Sequence, residues 1–151
     1  MWPFSGKKEF FSKEENELIV QSIRDVEKQT SGEVRVFVES KCRFIDALDR
    51  AMEIFSQLKM QNTAERNAVL VYVAIKDRQL AVYGDEGIHQ KTGDTYWKVA
   101  VNNMLLHFNK ENYATGIAHC VSMIGDALKE HFPYDTGSDK NELPDEIIFG
   151  K

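Results

Sequence analysis

Cysteine is scarce in this chain: Cys42 and Cys120 are the two it has, with no C-x-x-C and no metal-type spacing. That excludes a disulfide framework and a zinc knuckle, and both thiols are expected to be free. Long apolar runs are missing too. Nothing approaches the ~20 residues that span a bilayer. The start, Trp2-Pro3-Phe4 followed by charges, has no signal-peptide core. The expectation is a soluble, cytoplasmic protein with no membrane insertion. An excess of positive charge is also absent. The 19 basic residues face 24 acidic ones, for a net charge of −5, and the two signs are interspersed. Lys7-Lys8 and Lys41–Arg43 are too short to make a nucleic-acid surface, and the balance favours a cation or a cationic partner.

Catalytic signatures are missing as well. His89, His107, His119 and His131 form no H-E-x-x-H, and none has a partner four residues on, so each is expected on ordinary helix or loop surface. There is no G-x-S-x-G elbow, Walker-type phosphate loop or G-x-G-x-x-G fingerprint. Six positions after Cys42, where a cysteine phosphatase needs arginine, stands Leu48.

What is present is enough apolar material, 42% hydrophobic with nine Phe in 151 residues, to close one sizeable core. Ser12 and Glu15 form a capping box. Leu18, Ile19, Ile23 and Val26 follow on one face of a helix, and Thr30-Ser31-Gly32 stops it, with Gly32 able to turn left-handed. Val34, Val36 and Val38 then alternate with Arg35, Phe37 and Glu39, which predicts a strand less central than the next one. Asp46 caps a second helix that carries Ala47, Leu48, Ala51, Ile54, Phe55 and Leu58. The run Val69 to Ile75 suits a strand covered on both faces. After Lys76-Asp77-Arg78, Leu80 to Tyr83 returns as a hairpin strand ending at Gly84-Asp85-Glu86-Gly87. Trp97, Val101, Met104, Leu105 and Phe108 mark a third helix, and Ile117, Val121, Ile124 and Leu128 a fourth, closed by Phe132-Pro133.

These elements predict an α/β fold, a three-layer α/β/α sandwich. Its small mixed sheet holds a parallel pair and an antiparallel hairpin strand, flanked by about four helices. Residues 1–133 form the single domain. Residues 134–151 make an acidic tail whose Ile147-Ile148-Phe149 is expected to clip onto the body. A monomer is the default.

The same topology sorts the charged residues between two sheet edges. Glu33, Arg66-Asn67 and Gly84-Asp85-Glu86-Gly87 gather at one edge, and Glu39-Ser40 and Asp77-Arg78 at the other. The first edge offers hard oxygen ligands from Asp85, Glu86, Glu33 and Asn67, with Arg66, Gly84 and Gly87 as neighbours. Ca²⁺ takes six to eight oxygens in flexible geometry, so such a loop can hold it, although no EF-hand spacing is present. The plainer reading of that edge is a strand end with a Glu33–Arg66 ion pair. At the second edge Asp77-Arg78 reads as a solvated turn.

Thr30-Ser31-Gly32-Glu33 before a valine strand, Arg66-Asn67 before Val69–Ile75, Asp77-Arg78, and Tyr83-Gly84-Asp85-Glu86-Gly87-Ile88 together resemble the TPM domain. That family includes a thylakoid-lumen protein of photosystem II repair and a nematode acetylcholine-receptor modulator. The resemblance spans about residues 12 to 133, and Asn141-Glu142-Leu143-Pro144-Asp145-Glu146 resembles the tail of soluble bacterial members. It implies an α/β/α sandwich, Ca²⁺ binding through acidic loop residues, which carries over to Asp85 and Glu86, and a weak acid phosphatase activity in the plant branch. Three functions are therefore expected, in this order: a Ca²⁺-binding module with a protein partner, a metal-assisted phosphatase acting on phosphomonoesters, and a structural interaction protein that docks through its tail.

Overall fold

A computed structural model describes residues 10–42, 46–134 and 146–150. The basic pair Lys7-Lys8, the segment around Arg43 and the acidic stretch 135–145 lie outside the described residues. Helix α1 (Lys13–Glu27) opens on the expected capping box: Glu15 N–H donates to Ser12 Oγ at 3.1 Å and Ser12 N–H to Glu15 Oε1 at 2.8 Å. Its last turn ends in ordinary helical backbone at Lys28. Gly32 is not left-handed. A Cβ there would stand 2.6 Å from Leu128 Cδ2, so the residue serves close packing rather than chain reversal.

Strand β1 (Glu33–Glu39), helix α2 (Ala47–Gln57), strand β2 (Ala68–Ala74) and strand β3 (Gln79–Gly84) follow. Helices α3 (Glu86–Thr92), α4 (Asp94–Asn109) and α5 (Tyr113–His131) precede the two-residue strand β4 (Ile148–Phe149). The sheet order is β3-β2-β1-β4. β1 runs parallel to β2 and β4, and β2 antiparallel to β3. The first strand is interior like the second but has only the two-residue β4 on its far side, and every residue in it is buried.

Strand alternation divides the core between two layers. Val34, Val36, Val38, Val69, Val71 and Val73 face α1, α4 and α5, where Ile19, Ile23, Met104, Ile117 and Ile124 close over them. Phe37, Ala68, Leu70, Tyr72 and Ala81 face α2, which covers them with Ala51, Ile54 and Phe55. This is the expected three-layer sandwich, with five helices among the described residues. The fifth is α3, which the sequence disguised as a turn. At the chain's end Phe149 stacks on Phe10, ring centroids 6.1 Å apart, and Gly150 N–H donates to Val38 C=O at 2.7 Å.

At the carboxyl edge of the parallel strands, Glu39 is buried in a closed network. Arg50 grips its carboxylate with Nε and Nη2, both at 3.0 Å, and the Tyr72 hydroxyl donates to Oε2 at 2.5 Å. Asp77 accepts the Cys42 N–H at 2.8 Å. The Asp77-Arg78 turn is exposed, as expected, and its carboxylate also ties down the chain beyond β1.

Candidate functional site

The opposite edge is built around a backbone conformation that side chains rarely adopt. Arg66 has φ +53°, a left-handed geometry uncommon for anything but glycine. Three contacts fix it. Gly87 N–H donates to Arg66 C=O at 2.8 Å, and Asp85 N–H donates to Ala68 C=O at 2.9 Å. At Gly87 a Cβ would come within 2.1 Å of Glu65 O and 2.6 Å of Arg66 O, so only glycine lets the first turn of α3 lie this close to the 65–66 backbone.

The third contact is a forked ion pair. Asp85 is 2% exposed, and a buried carboxylate is costly unless paired and hydrogen-bonded. Its Oδ2 accepts Arg66 Nε at 2.7 Å, while Oδ1 accepts Arg66 Nη2 at 2.9 Å and the Glu86 N–H at 2.8 Å. One side chain thus caps α3 and orients a guanidinium. That bidentate bond also strengthens the guanidinium's hold on its proton. Arg66 Nη1 points onward, 3.7 Å from Glu86 Oε2, whose side chain is 63% exposed. The ion partner of Arg66 is therefore Asp85, not the Glu33 expected from sequence.

This fork closes one end of a groove of about 630 Å³. The floor is β3, the outermost strand, from Leu80 to Gly84. Asp46 and Leu48 of the α2 end form one wall, and Trp97, Lys98 and Val101 of α4 the other. The lining is mostly apolar, and the outer rim of an edge strand carries backbone donors and acceptors that no further strand takes up. His89 also lines it. The Trp97 indole N–H donates to His89 Nδ1 at 3.0 Å, which makes that nitrogen the acceptor and leaves Nε2 facing Asp94 Oδ1 at 3.1 Å. The sequence marked Trp97 as a helix position and His89 as ordinary surface, neither as part of a site. Both sit at helical spacing that reads as core or surface, and only the fold sets them over the end of β3.

The proposed oxygen ligands divide. Asp85 and Glu86 come together with Arg66 and Gly84 on the groove. Glu33 is buried on β1 in register with Ala68, which in turn accepts from Asp85. Glu33 and Asp85 are thus two strand spacings apart, about 10 Å. Asn67 turns to another neighbour, donating Nδ2 to Ser31 Oγ at 3.3 Å, and its buried Oδ1 has no hydrogen-bond partner. Among the described residues no group of three or more His, Cys, Asp or Glu stands where it could hold a metal ion, and no helix is long and apolar enough to cross a membrane.

Comparison with known proteins adds three findings. The family model of the TPM domain matches residues 6–127. The chain is 42% identical to the BA42 protein of the psychrophilic bacterium Bizionia argentinensis, whose NMR structure superposes with a TM-score of 0.86 over 95% of this chain and 97% of that one. The N-terminal domain of the cg2496 protein of Corynebacterium glutamicum shares the fold, with a TM-score of 0.64 at 15% identity, over 85% of this chain and 84% of that one. No curated protein matches.

Proposed function

This chain belongs to the TPM domain family, and we propose that it acts there as a binding module, taking a protein partner into the groove on β3 and a Ca²⁺ ion at the Asp85–Glu86 rim. The observation that carries this reading is the Arg66–Asp85 fork. A left-handed arginine, an obligatory glycine contact and a buried carboxylate all serve to hold one guanidinium at the mouth of an apolar groove. Backbone strain of this kind persists where the surroundings impose it, and it clusters at ligand sites.

For the cation, the donor set suits a weak hard-ion site and not a closed cage. Glu86 offers an exposed carboxylate, and Asp85 Oδ2 accepts one hydrogen bond here, leaving a lone pair. Two protein carboxylates leave most of the six to eight oxygens of a Ca²⁺ shell to water or to the partner, which corresponds to affinities of order 10⁻⁴ to 10⁻³ M. Titrating Ca²⁺ into ¹⁵N-labelled protein is expected to move amides 84–87 at millimolar metal, and Glu86→Gln to abolish the response. Silence in that loop removes the cation from the proposal. For the partner, peptides selected from a displayed library should move amides of β3 and α4 and lose binding to the Leu48→Glu/Val101→Glu variant. Equal binding to that variant places the partner surface elsewhere.

A second reading, metal-assisted phosphomonoester hydrolysis, is favoured by Arg66 and His89 lining the same groove. A guanidinium grips phosphoryl oxygens and an imidazole can move a proton. Turnover of p-nitrophenyl phosphate that disappears in both Arg66→Ala and His89→Gln supports it. Turnover unaffected by either substitution belongs to another site or to a contaminant.

A further inference from the structure

A second cluster lies on a different face of α4, where that helix meets α5. His107 and His119 are twelve residues apart and share no helix face, yet the fold brings their rings to a centroid separation of 5.6 Å with planes inclined by 55°. Gly116 makes the meeting possible. A Cβ there would lie 2.8 Å from His107 Cβ, so the two helix backbones approach closely at the turn just before His119.

One helical turn further along the seam, Asn103 Nδ2 donates to Met123 Sδ at 3.1 Å. Asn103 precedes His107 by four residues, and Met123 follows His119 by four. Such pairs are neighbours on a helix surface, with Cβ atoms about 5–6 Å apart. The four side chains therefore form two adjacent rungs across the seam, with two imidazoles on one and a thioether on the next. His119 is exposed and Met123 half-buried, whereas Cys120 turns inward and is 1% exposed.

Two imidazoles sharing one metal at a bond length of about 2.0–2.1 Å bring their ring centroids to roughly 5–6 Å. The observed separation lies in that range. Among the described residues no third His, Cys, Asp or Glu completes the group, and the donor that the next rung offers is the sulfur of Met123. Thioether sulfur is a soft ligand that selects monovalent copper, and imidazole accepts the same ion.

We propose that His107, His119 and Met123 form a site for Cu(I), with Asn103 positioning the thioether. This site is independent of the groove on β3 and of any cation at Asp85–Glu86. The test is an anaerobic titration of the full chain with Cu(I) against bicinchoninate, together with spectra of ¹³C-methyl-labelled methionine and of the histidine rings. One equivalent should bind, moving the Met123 methyl and the ring signals of His107 and His119 while amides 84–87 stay in place. His107→Gln, His119→Gln and Met123→Leu should each weaken binding by more than about tenfold, the loss that even an outer-shell partner causes at metal sites. Circular dichroism of the metal-free variants checks that they remain folded. Binding that leaves both rings unmoved, for example at Cys42, overturns the proposal, as does full affinity in Met123→Leu or no binding at all.

Discussion

Cys120 shows how one buried side chain sets a pH limit for the whole molecule. It sits on α5 among Ile117, Val121 and Ile124, away from water, and burial pushes its thiol up to about 12 from an ordinary value of 9.0. A raised acid holds its proton more tightly in the folded state, so its stabilising contribution is complete below pH 9 and is lost as pH rises from 9 towards 12. The span of the shift, about three units at 1.36 kcal/mol each, sets the scale at roughly 4 kcal/mol by pH 12. Tyr72 is raised in the same direction by burial and by its bond to Glu39, so the wild-type decline contains both groups. Guanidinium melts at pH 8 and pH 10.5 should show a smaller loss in Cys120→Ala than in wild type, although the variant starts lower because of its cavity. An equal loss in the two proteins would assign the alkaline decline to Tyr72 and to surface charge. Free thiols were legible in the spacing of Cys42 and Cys120, as was the acidic character of Asp85 and Glu86. The left-handed Arg66 was not, since nothing in the run Glu65-Arg66-Asn67 distinguishes a strained arginine from an ordinary strand start.

Elements were legible where the determinant is local. The Ser12–Glu15 box fixes the start of α1 because both hydrogen bonds close within four residues, and Asp46 does the same for α2 by accepting the Leu48 N–H at 2.9 Å. The valine run of β2 announced its burial on both faces. Helix α3 was hidden because it is seven residues long and buries only Ile88, too short for a 3.6-residue apolar period to show. β1 read as less central than β2 because Arg35, Phe37 and Glu39 make one of its faces mixed, yet that face is buried too, with Glu39 paired by Arg50. What holds α3 against the strand ends is Gly87, and Gly87→Ala tests that attachment. The added methyl meets two backbone carbonyls rather than a flexible side chain, so α3 or the 65–66 turn must move. Overpacking of this severity costs about 3 kcal/mol, a fall in melting temperature of about 6–12 °C for a chain of this size. Amide exchange should quicken first in α3 and at 66–67. A variant that melts within about 1 °C of wild type would mean that the contact relaxes freely and that Arg66 is held by Asp85 alone.

At the scale of the molecule, the two edges of the sheet are treated differently. On one side β4 pairs with Phe37 and Val38 of β1, and Phe149 lies against Phe10 and Phe11. On the other side β3 keeps a free rim inside the groove. Three strand spacings, about 14 Å, separate β3 from β4. Truncation after Asp145 should therefore separate stability from binding. It removes the half-buried Ile147, Ile148 and Phe149 and the Gly150–Val38 hydrogen bond. At about 1 kcal/mol for each half-buried side chain and about 1 kcal/mol for the bond, the loss is about 4 kcal/mol, seen as a fall of about 8–16 °C in melting temperature. It also bares the rim of β1 beside two phenylalanines, the kind of unpaired edge that recruits another chain, so sedimentation should show concentration-dependent association absent from the full chain. Below the new melting point, the response of amides 84–87 to Ca²⁺ should match wild type, because the Arg66–Asp85 fork is anchored to β2, β3 and α3. A truncated protein that keeps its melting temperature and stays monomeric would show that the clip adds nothing to the sheet. One that stays folded but loses the loop response would show that the two edges are coupled through β1 and β2, and the groove could then no longer be treated as a site independent of the tail.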